Sequence, residues 1–341
     1  MENVLIAMSG GVDSSAAALL LKRAGYAVRG SMLRLWEASA AEEDAARVAD
    51  ALGIPFSVSD YRADFHREVV NTFIEAYEKG DTPNPCVHCN RHVKFPYMLR
   101  EADALGIEKI ATGHYARITE ENGRFCIRKG ADARKDQSYM LAFLTQEQLS
   151  RVLFPLGELT KEEIRAIAAE SGLPVAAKKD SQDICFIPDG DYVRFITETT
   201  NKTYPDGDFT DTCGNVLGRH RGLICYTTGQ RKGLGLALPA PMYVLQKDIA
   251  GNRVILGTNE ELFSKECFVC DVNPVSVPAF DAPMRAEVKV RYSHAASPAW
   301  LYPEADGIRI VFDEAQRAIT PGQTAAFYDG DLLLGGGRIC V

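Results

Sequence analysis

The chain has 341 residues, 46% hydrophobic and 25% charged, with a formal net charge of −8. That length predicts two or three domains of ordinary globular composition, and nine cysteines are too few for a small disulfide scaffold and odd in number, so at least one is unpaired. No apolar run approaches the ~20 residues of a membrane span. The opening residues, Met1 to Ile6, read as a buried strand rather than a leader, which predicts a cytoplasmic protein.

In chain order, Val4 to Met8 reads as a buried strand and residues 14–24 as an Ala- and Leu-rich helix stopped by Gly25. A second strand follows over 27–35, then a helix over 42–52 ending at Gly53. Short strands are expected at 56–58 and 109–111, with helices between them. This alternation predicts an α/β domain with a parallel sheet. Thr160 and Glu163 form a capping box ahead of an apolar stripe of Ile164, Ile167 and Ala168. Past about Val193, Gly and Pro become frequent and helical periodicity fades. Over 284–292 the residues alternate strictly, with Ala286, Val288, Val290 and Tyr292 on one face and Arg285, Glu287, Lys289 and Arg291 on the other. Asp329-Gly330 is a hairpin signal. The expected organisation is an α/β domain over 1–193, a central module over 194–264 and an antiparallel β-barrel over 265–341.

Ser9-Gly10-Gly11-Val12-Asp13-Ser14-Ser15 lies between the first strand and the first helix. Two glycines let the backbone turn tightly and present N–H groups to a phosphate, and the helix N-terminus adds positive charge. The lysine of a Walker loop is absent. A loop that holds pyrophosphate and leaves the α-phosphate open suits adenylyl transfer. It resembles the loop of the PP-loop ATP pyrophosphatases, which implies an adenine nucleotide alpha hydrolase-like fold, ATP surrounded by Ala7, Met8, Ser9, Gly10, Gly11, Val12, Asp13 and Ser14, adenine against Leu33, and further nucleotide contact at Gly113.

A second dense segment is Thr82-Pro83-Asn84-Pro85-Cys86-Val87-His88-Cys89-Asn90, and a third thiol, Cys185, follows Lys178-Lys179. His88, Arg91, His92 and Lys94 are positive or potentially positive, and such neighbours lower a thiol pKa toward thiolate. Three readings stand open: buried fillers, half of a zinc site with Cys267 and Cys270 as the other half, or a sulfur-transfer pair. Cys267 and Cys270 fall in an apparent strand, where residues three apart face opposite ways, so they are expected to be packing residues of the barrel. The negative net charge argues mildly against nucleic acid, but Arg128-Lys129, Arg134-Lys135, Lys178-Lys179, Arg219-His220-Arg221 and Arg231-Lys232 keep an RNA partner open.

From end to end the chain resembles the tRNA-specific 2-thiouridylases (MnmA/TrmU family), through residues 8–15, 82–95, 111–117, 135–139, 181–187 and 226–235. The resemblance implies a sulfurtransferase that uses ATP with Mg2+ to adenylate the C2 oxygen of the wobble uridine of tRNAs for Lys, Glu and Gln. Cys185 would carry sulfur as a persulfide from a cysteine desulfurase or another persulfide donor protein, and Cys89 would close a transient disulfide with it. The target base would meet Asn84, Pro85 and Cys86, and tRNA would meet His114, Lys135, Asp136, Gln137, Arg291, Tyr292 and Gln323. Neither a protein-held metal ion nor a membrane is implied. Many members carry an acidic residue where this chain has Cys86, so a role for that carboxylate does not transfer. Cys86, Cys89 and Cys185 could instead hold an iron–sulfur cluster, the less favoured mechanism. A PP-loop amide ligase would need no thiol pair.

Overall fold

A computed structural model describes residues 2–37, 40–178 and 184–340. Its first sheet contains β1 (Asn3–Ala7), β2 (Ala27–Arg34), β3 (Phe56–Asp60), β4 (Lys109–Ala111) and β7 (Val152–Leu153) in the order β3-β2-β1-β4-β7. Every pair is parallel. Val4, Leu5 and Ile6 are fully buried, as a central strand covered on both faces requires. From β1 the chain runs outward to β2 and β3, then returns to β4 on the other side of β1. That reversal opens a crevice beyond the carboxyl ends of β1 and β4, where such sheets bind ligands.

The helix Val12–Arg23 buries Ala16, Ala17 and Ala18 against the sheet, carries Asp13 in its first turn and Lys22 and Arg23 in its last, and stops at Gly25 with φ +90°. The capping box of Thr160 and Glu163 is present on the helix Lys161–Glu170. The expected strand positions hold within one to two residues.

A hairpin of β5 (Ala116–Glu121) and β6 (Arg124–Lys129) leaves this domain. After the helix Tyr192–Thr200, a four-stranded sheet forms from β8 (Gly207–Thr210), β9 (Val216–His220), β10 (Tyr243–Asp248) and β11 (Arg253–Gly257), in the order β10-β11-β8-β9. The last six strands are β12 (Phe263–Pro274), β13 (Met284–Lys289), β14 (Ser297–Glu304), β15 (Gly307–Arg317), β16 (Thr324–Asp329) and β17 (Leu332–Ile339). They run β12-β15-β14-β13-β16-β17, and pairing of β12 with β17 closes an antiparallel barrel. Gly330, at φ +60°, makes the turn between β16 and β17.

The hairpin was not foreseen as part of that sheet. Leu332 and Leu333 of β17 pair with Arg128 and Ile127 of β6, adding β6 and β5 to the barrel. Arg117 and Arg128 then both donate to the Asp331 carboxylate, at 2.8 and 2.5 Å. One hydrophobic core joins Leu5, Phe95 and Ile127 to Ala326, Tyr328 and Leu333, so the barrel and the catalytic domain share their interior.

Two barrel expectations need correction. β13 ends at Lys289, so Val290 stays buried but Tyr292 leaves the apolar face and is 37% exposed. Cys267 packs against the barrel core as expected, whereas Cys270 is joined by a disulfide to Cys340, with Cα atoms 6.2 Å apart. The other seven cysteines are free.

Candidate active site

Ala7 at the end of β1, Met8 and Ser9 in the turn after it, and Asp13 and Ser14 at the start of the helix Val12–Arg23 line a cleft of about 680 Å³ together with Leu33, Gly113, His114, Gln137 and Cys185. Gly10, Gly11 and Val12 shape the loop from behind this wall. Gly10 sits at φ +67°, and a Cβ there would lie 2.1 Å from the Ala41 carbonyl oxygen. At Gly113 a Cβ would lie 2.9 Å from the Ser14 amide nitrogen, so glycine lets the end of β4 close onto the helix start. The Ser14 Oγ accepts from the Ser9 N–H and lies 3.1 Å from the Ser9 Oγ.

The loop is braced from outside. Asp13 accepts from the Tyr115 hydroxyl and the Lys161 ammonium, both at 2.7 Å. Lys178 donates to the Gly10 carbonyl at 2.9 Å and to Asp44 at 2.6 Å. Neither lysine was singled out as a site residue. Lys161 left a signal: it occupies the first turn of its helix, where the macrodipole disfavours a cation unless an anion compensates it. The two hydroxyls, helix N-terminus and glycine close approach form a cradle that fits a nucleotide's phosphates.

The thiols come from a helix of one turn, Pro85–Cys89. Asn84 caps it, its side-chain oxygen accepting from the Cys86 and Val87 N–H groups at 3.1 and 3.2 Å, and Pro85 occupies a first-turn position that needs no donor. A π-helical turn, Asn90–Lys94, follows, and then the helix Phe95–Ala104. Cys89 is buried, whereas Cys86 and Cys185 keep surface open to water within a crowded wall.

The expected activation of these thiols is corrected. Burial pushes the pKa of all three up, Cys185 to about 12. Nor do His88 and His92 act as firm positive neighbours: burial first lowers both, His88 to about 4, His88 is lowered further by His92 beside it, and Arg91 lowers both. Lys94 acts on each thiol in the lowering direction, and burial outweighs it. Cys86 and Cys89 both lie close enough to raise Cys185 further. Most of the segment before Cys185, from Lys179 to Asp183, lies outside the described residues.

The residues expected to meet tRNA divide into groups. Around the thiol loop, Tyr292 donates from its hydroxyl to the Asp136 carbonyl at 3.2 Å, and its surroundings include Lys135 and Cys86. The Asp136 carboxylate is committed to the Gly130 and Ser138 N–H groups and the Ser138 hydroxyl. Gln137 accepts from the Tyr115 N–H at 3.0 Å. His114 is buried against Phe95 and Phe154, its Nδ1 2.7 Å from the Thr112 Oγ1, and burial drives its pKa well below the usual value. Gln323 donates to the Thr82 carbonyl at 2.7 Å and so ties the barrel to the thiol loop.

Arg291 was expected to face phosphate from a polar strand face. Its guanidinium instead turns inward to the Thr228 carbonyl and the Thr320 hydroxyl, and burial lowers its pKa. Most of the basic clusters are compensated too, Arg128 by Glu121 and Asp331, Arg134 by Glu162, Lys178 by Asp44 and Arg219 by Asp208. Among the described residues no group of three or more His, Cys, Asp or Glu side chains is arranged to hold a metal ion, and no helix is long and apolar enough to cross a membrane.

Three family models match the chain in succession: a "tRNA methyl transferase HUP domain" over residues 2–189, a "tRNA methyl transferase PRC-barrel domain" over 193–258 and an "Aminomethyltransferase beta-barrel domain" over 264–339. A relative from Acetivibrio thermocellus, named tRNA-specific 2-thiouridylase MnmA, is 48% identical over 99% of both chains. Relatives of the same name from Clostridioides difficile and Heliobacterium modesticaldum are 46% and 48% identical over 99% of this chain, and over 98% and 92% of their own. With likeness of that depth running from end to end, the chain belongs to the tRNA-specific 2-thiouridylase family.

Proposed function

We propose that the chain is an ATP-dependent tRNA sulfurtransferase that converts the wobble uridine of tRNAs for Lys, Glu and Gln to 2-thiouridine in the cytoplasm. The observation that carries this reading is the single cleft in which a phosphate cradle at Ser9 and Ser14 faces the free thiol of Cys185. The division at 193 and 264 belongs to the same reading, and family models that change over near those positions support it.

ATP is a substrate here, its phosphates matched to the Ser9 and Ser14 hydroxyls and the N–H groups of the helix start, its adenine to Leu33. Magnesium would ride on the phosphate oxygens and neutralise their charge. The uridine C2 oxygen displaces pyrophosphate from the α-phosphorus, which turns that oxygen into a leaving group. The terminal sulfur of a Cys185 persulfide attacks C2 and AMP departs. Cys89 then attacks the Cys185 sulfur, the sulfur–sulfur bond breaks, and its electron pair stays with the sulfur on C2 as the thiocarbonyl. Two thiols end as a disulfide, balancing the two-electron reduction of the transferred sulfur; a cellular reductant resets them. A cysteine desulfurase or similar protein supplies the persulfide.

The cluster alternative needs Cys86, Cys89 and Cys185 to converge on one iron site, and among the described residues no three such side chains are arranged to hold a metal ion. Anaerobically purified protein that lacks iron yet thiolates with a persulfide donor rules it out. The main test is pyrophosphate release with and without unmodified tRNA, followed by nucleoside analysis, which also separates a thiolated from a methylated product. Cys185→Ser and Cys89→Ser should form no 2-thiouridine while tRNA-dependent pyrophosphate release continues. Full thiolation by Cys185→Ser with a physiological donor would overturn the relay.

A further inference from the structure

The cleft receives an anionic substrate, and at its sulfur end Lys94 stands out. The π-turn Asn90–Lys94 brings Lys94 near Cys89, whose thiol feels both the Lys94 charge and its backbone N–H. The half-buried Lys94 lines the cleft with His114, Gln137 and Cys185. The other cation lining the cleft, Arg34, is held by Glu42 at 2.8 Å, whereas Lys94 has no ion-pair or side-chain hydrogen-bond partner among the described residues. His114, beside it, is neutral.

We propose that Lys94 is a further catalytic residue that holds the α-phosphate, filling at the sulfur end of the cleft the cationic role that the lysine-free loop at 9–15 leaves open. The proposal rests on the sulfurtransferase reading above. The alternative, that Lys94 exists to make thiolates, fits less well, because all three thiols remain raised with Lys94 beside them. Phosphate carries its charge at every working pH and needs no such help. As uridine oxygen displaces pyrophosphate, negative charge builds on the α-phosphate oxygens. When sulfur displaces AMP, the carbon–oxygen bond breaks and its electron pair leaves on AMP. Lys94 faces that charge in both steps, and a preorganised cation is an effective stabiliser of it.

The test pairs a binding measurement with thiol chemistry on full-length protein. AMP affinity is measured by calorimetry for wild type, Lys94→Gln and Lys94→Arg, alongside iodoacetamide alkylation of Cys86 and Cys185 at neutral pH. Lys94→Gln should weaken AMP about tenfold, leave alkylation within twofold and slow tRNA-dependent pyrophosphate release at least as strongly as it weakens AMP; Lys94→Arg should recover most of the affinity. Unchanged AMP affinity in Lys94→Gln, or a large drop in alkylation with AMP binding intact, overturns the assignment. If wild type binds neither AMP nor ATP, it is the sulfurtransferase reading that fails. Melting temperatures confirm that each variant is folded.

Discussion

At Gly10 two independent demands meet: a left-handed backbone and a carbonyl oxygen where a Cβ would stand. Gly10→Ala should therefore cost about 1–2 kcal/mol for the backbone alone, plus displacement of Ala41, and should weaken ATP binding in calorimetry far more than it lowers the melting temperature. These requirements were legible because the loop's geometry is written in seven consecutive residues. The state of the thiols was not. The basic neighbours of Cys86 and Cys89 are visible in the sequence, but burial decides the outcome, and the core that buries Cys89 draws on Phe186, Ile187 and Ile196, about 100 residues away in the chain. Arg291 shows the same limit: alternation over 284–292 put it on the polar face, but β13 ends at Lys289, and Thr228 and Thr320 capture its guanidinium. Lys94 was noted only as one more positive charge, since a π-turn has no sequence signature comparable to a cap or a glycine.

The segment from Asp81 to Cys89 has one short helix to hold it, and much of its order is supplied by the barrel. The Thr82 N–H donates to the Pro321 carbonyl at 2.9 Å and the Thr82 carbonyl accepts from Gln323. Gly322, at φ +87°, permits this approach, since a Cβ would stand 2.9 Å from the Asp81 Cβ. Gln323→Ala removes one hydrogen bond, about 1 kcal/mol. It should lower thiolation several-fold, raise amide exchange across Thr82–Cys89 and leave AMP affinity unchanged. A loss confined to tRNA affinity, with exchange unaltered, would instead mark Gln323 as a direct RNA contact. Strand positions and the Thr160 cap were foreseen because they depend on neighbours in sequence, whereas this clamp joins residues about 240 apart.

Across the whole molecule, histidine burial sets an acid limit. His88, His92, His114, His220 and His294 all have pKa values lowered by burial. The unfolded chain therefore takes up protons near pH 6.5 that the folded chain refuses until lower pH, about 4 for His88. Stability is fully present above that unfolded value and is lost as pH falls through the folded ones. Melting temperature should drop steeply between pH 6.5 and 4, and His88→Gln should flatten part of that slope. The three-part organisation was readable from texture, but the sharing of one core between the first and last parts was not, because β5 and β6 look like any hairpin of the first domain. Asp331→Asn, which weakens the grip on Arg117 and Arg128, should cost about 1 kcal/mol, the side chains being partly exposed.

The β5–β6 hairpin makes the boundary near residue 265 unsuitable as a place for genetic exchange. A chimera that takes its barrel from one relative and everything earlier from another would set a foreign β17 against a native β6 and mismatch Asp331 with its arginines. It would also leave Ile127 packed on the wrong partner. A cassette in which residues 116–129 travel with the barrel keeps that seam intact, and it should yield soluble protein where the simple exchange yields aggregate.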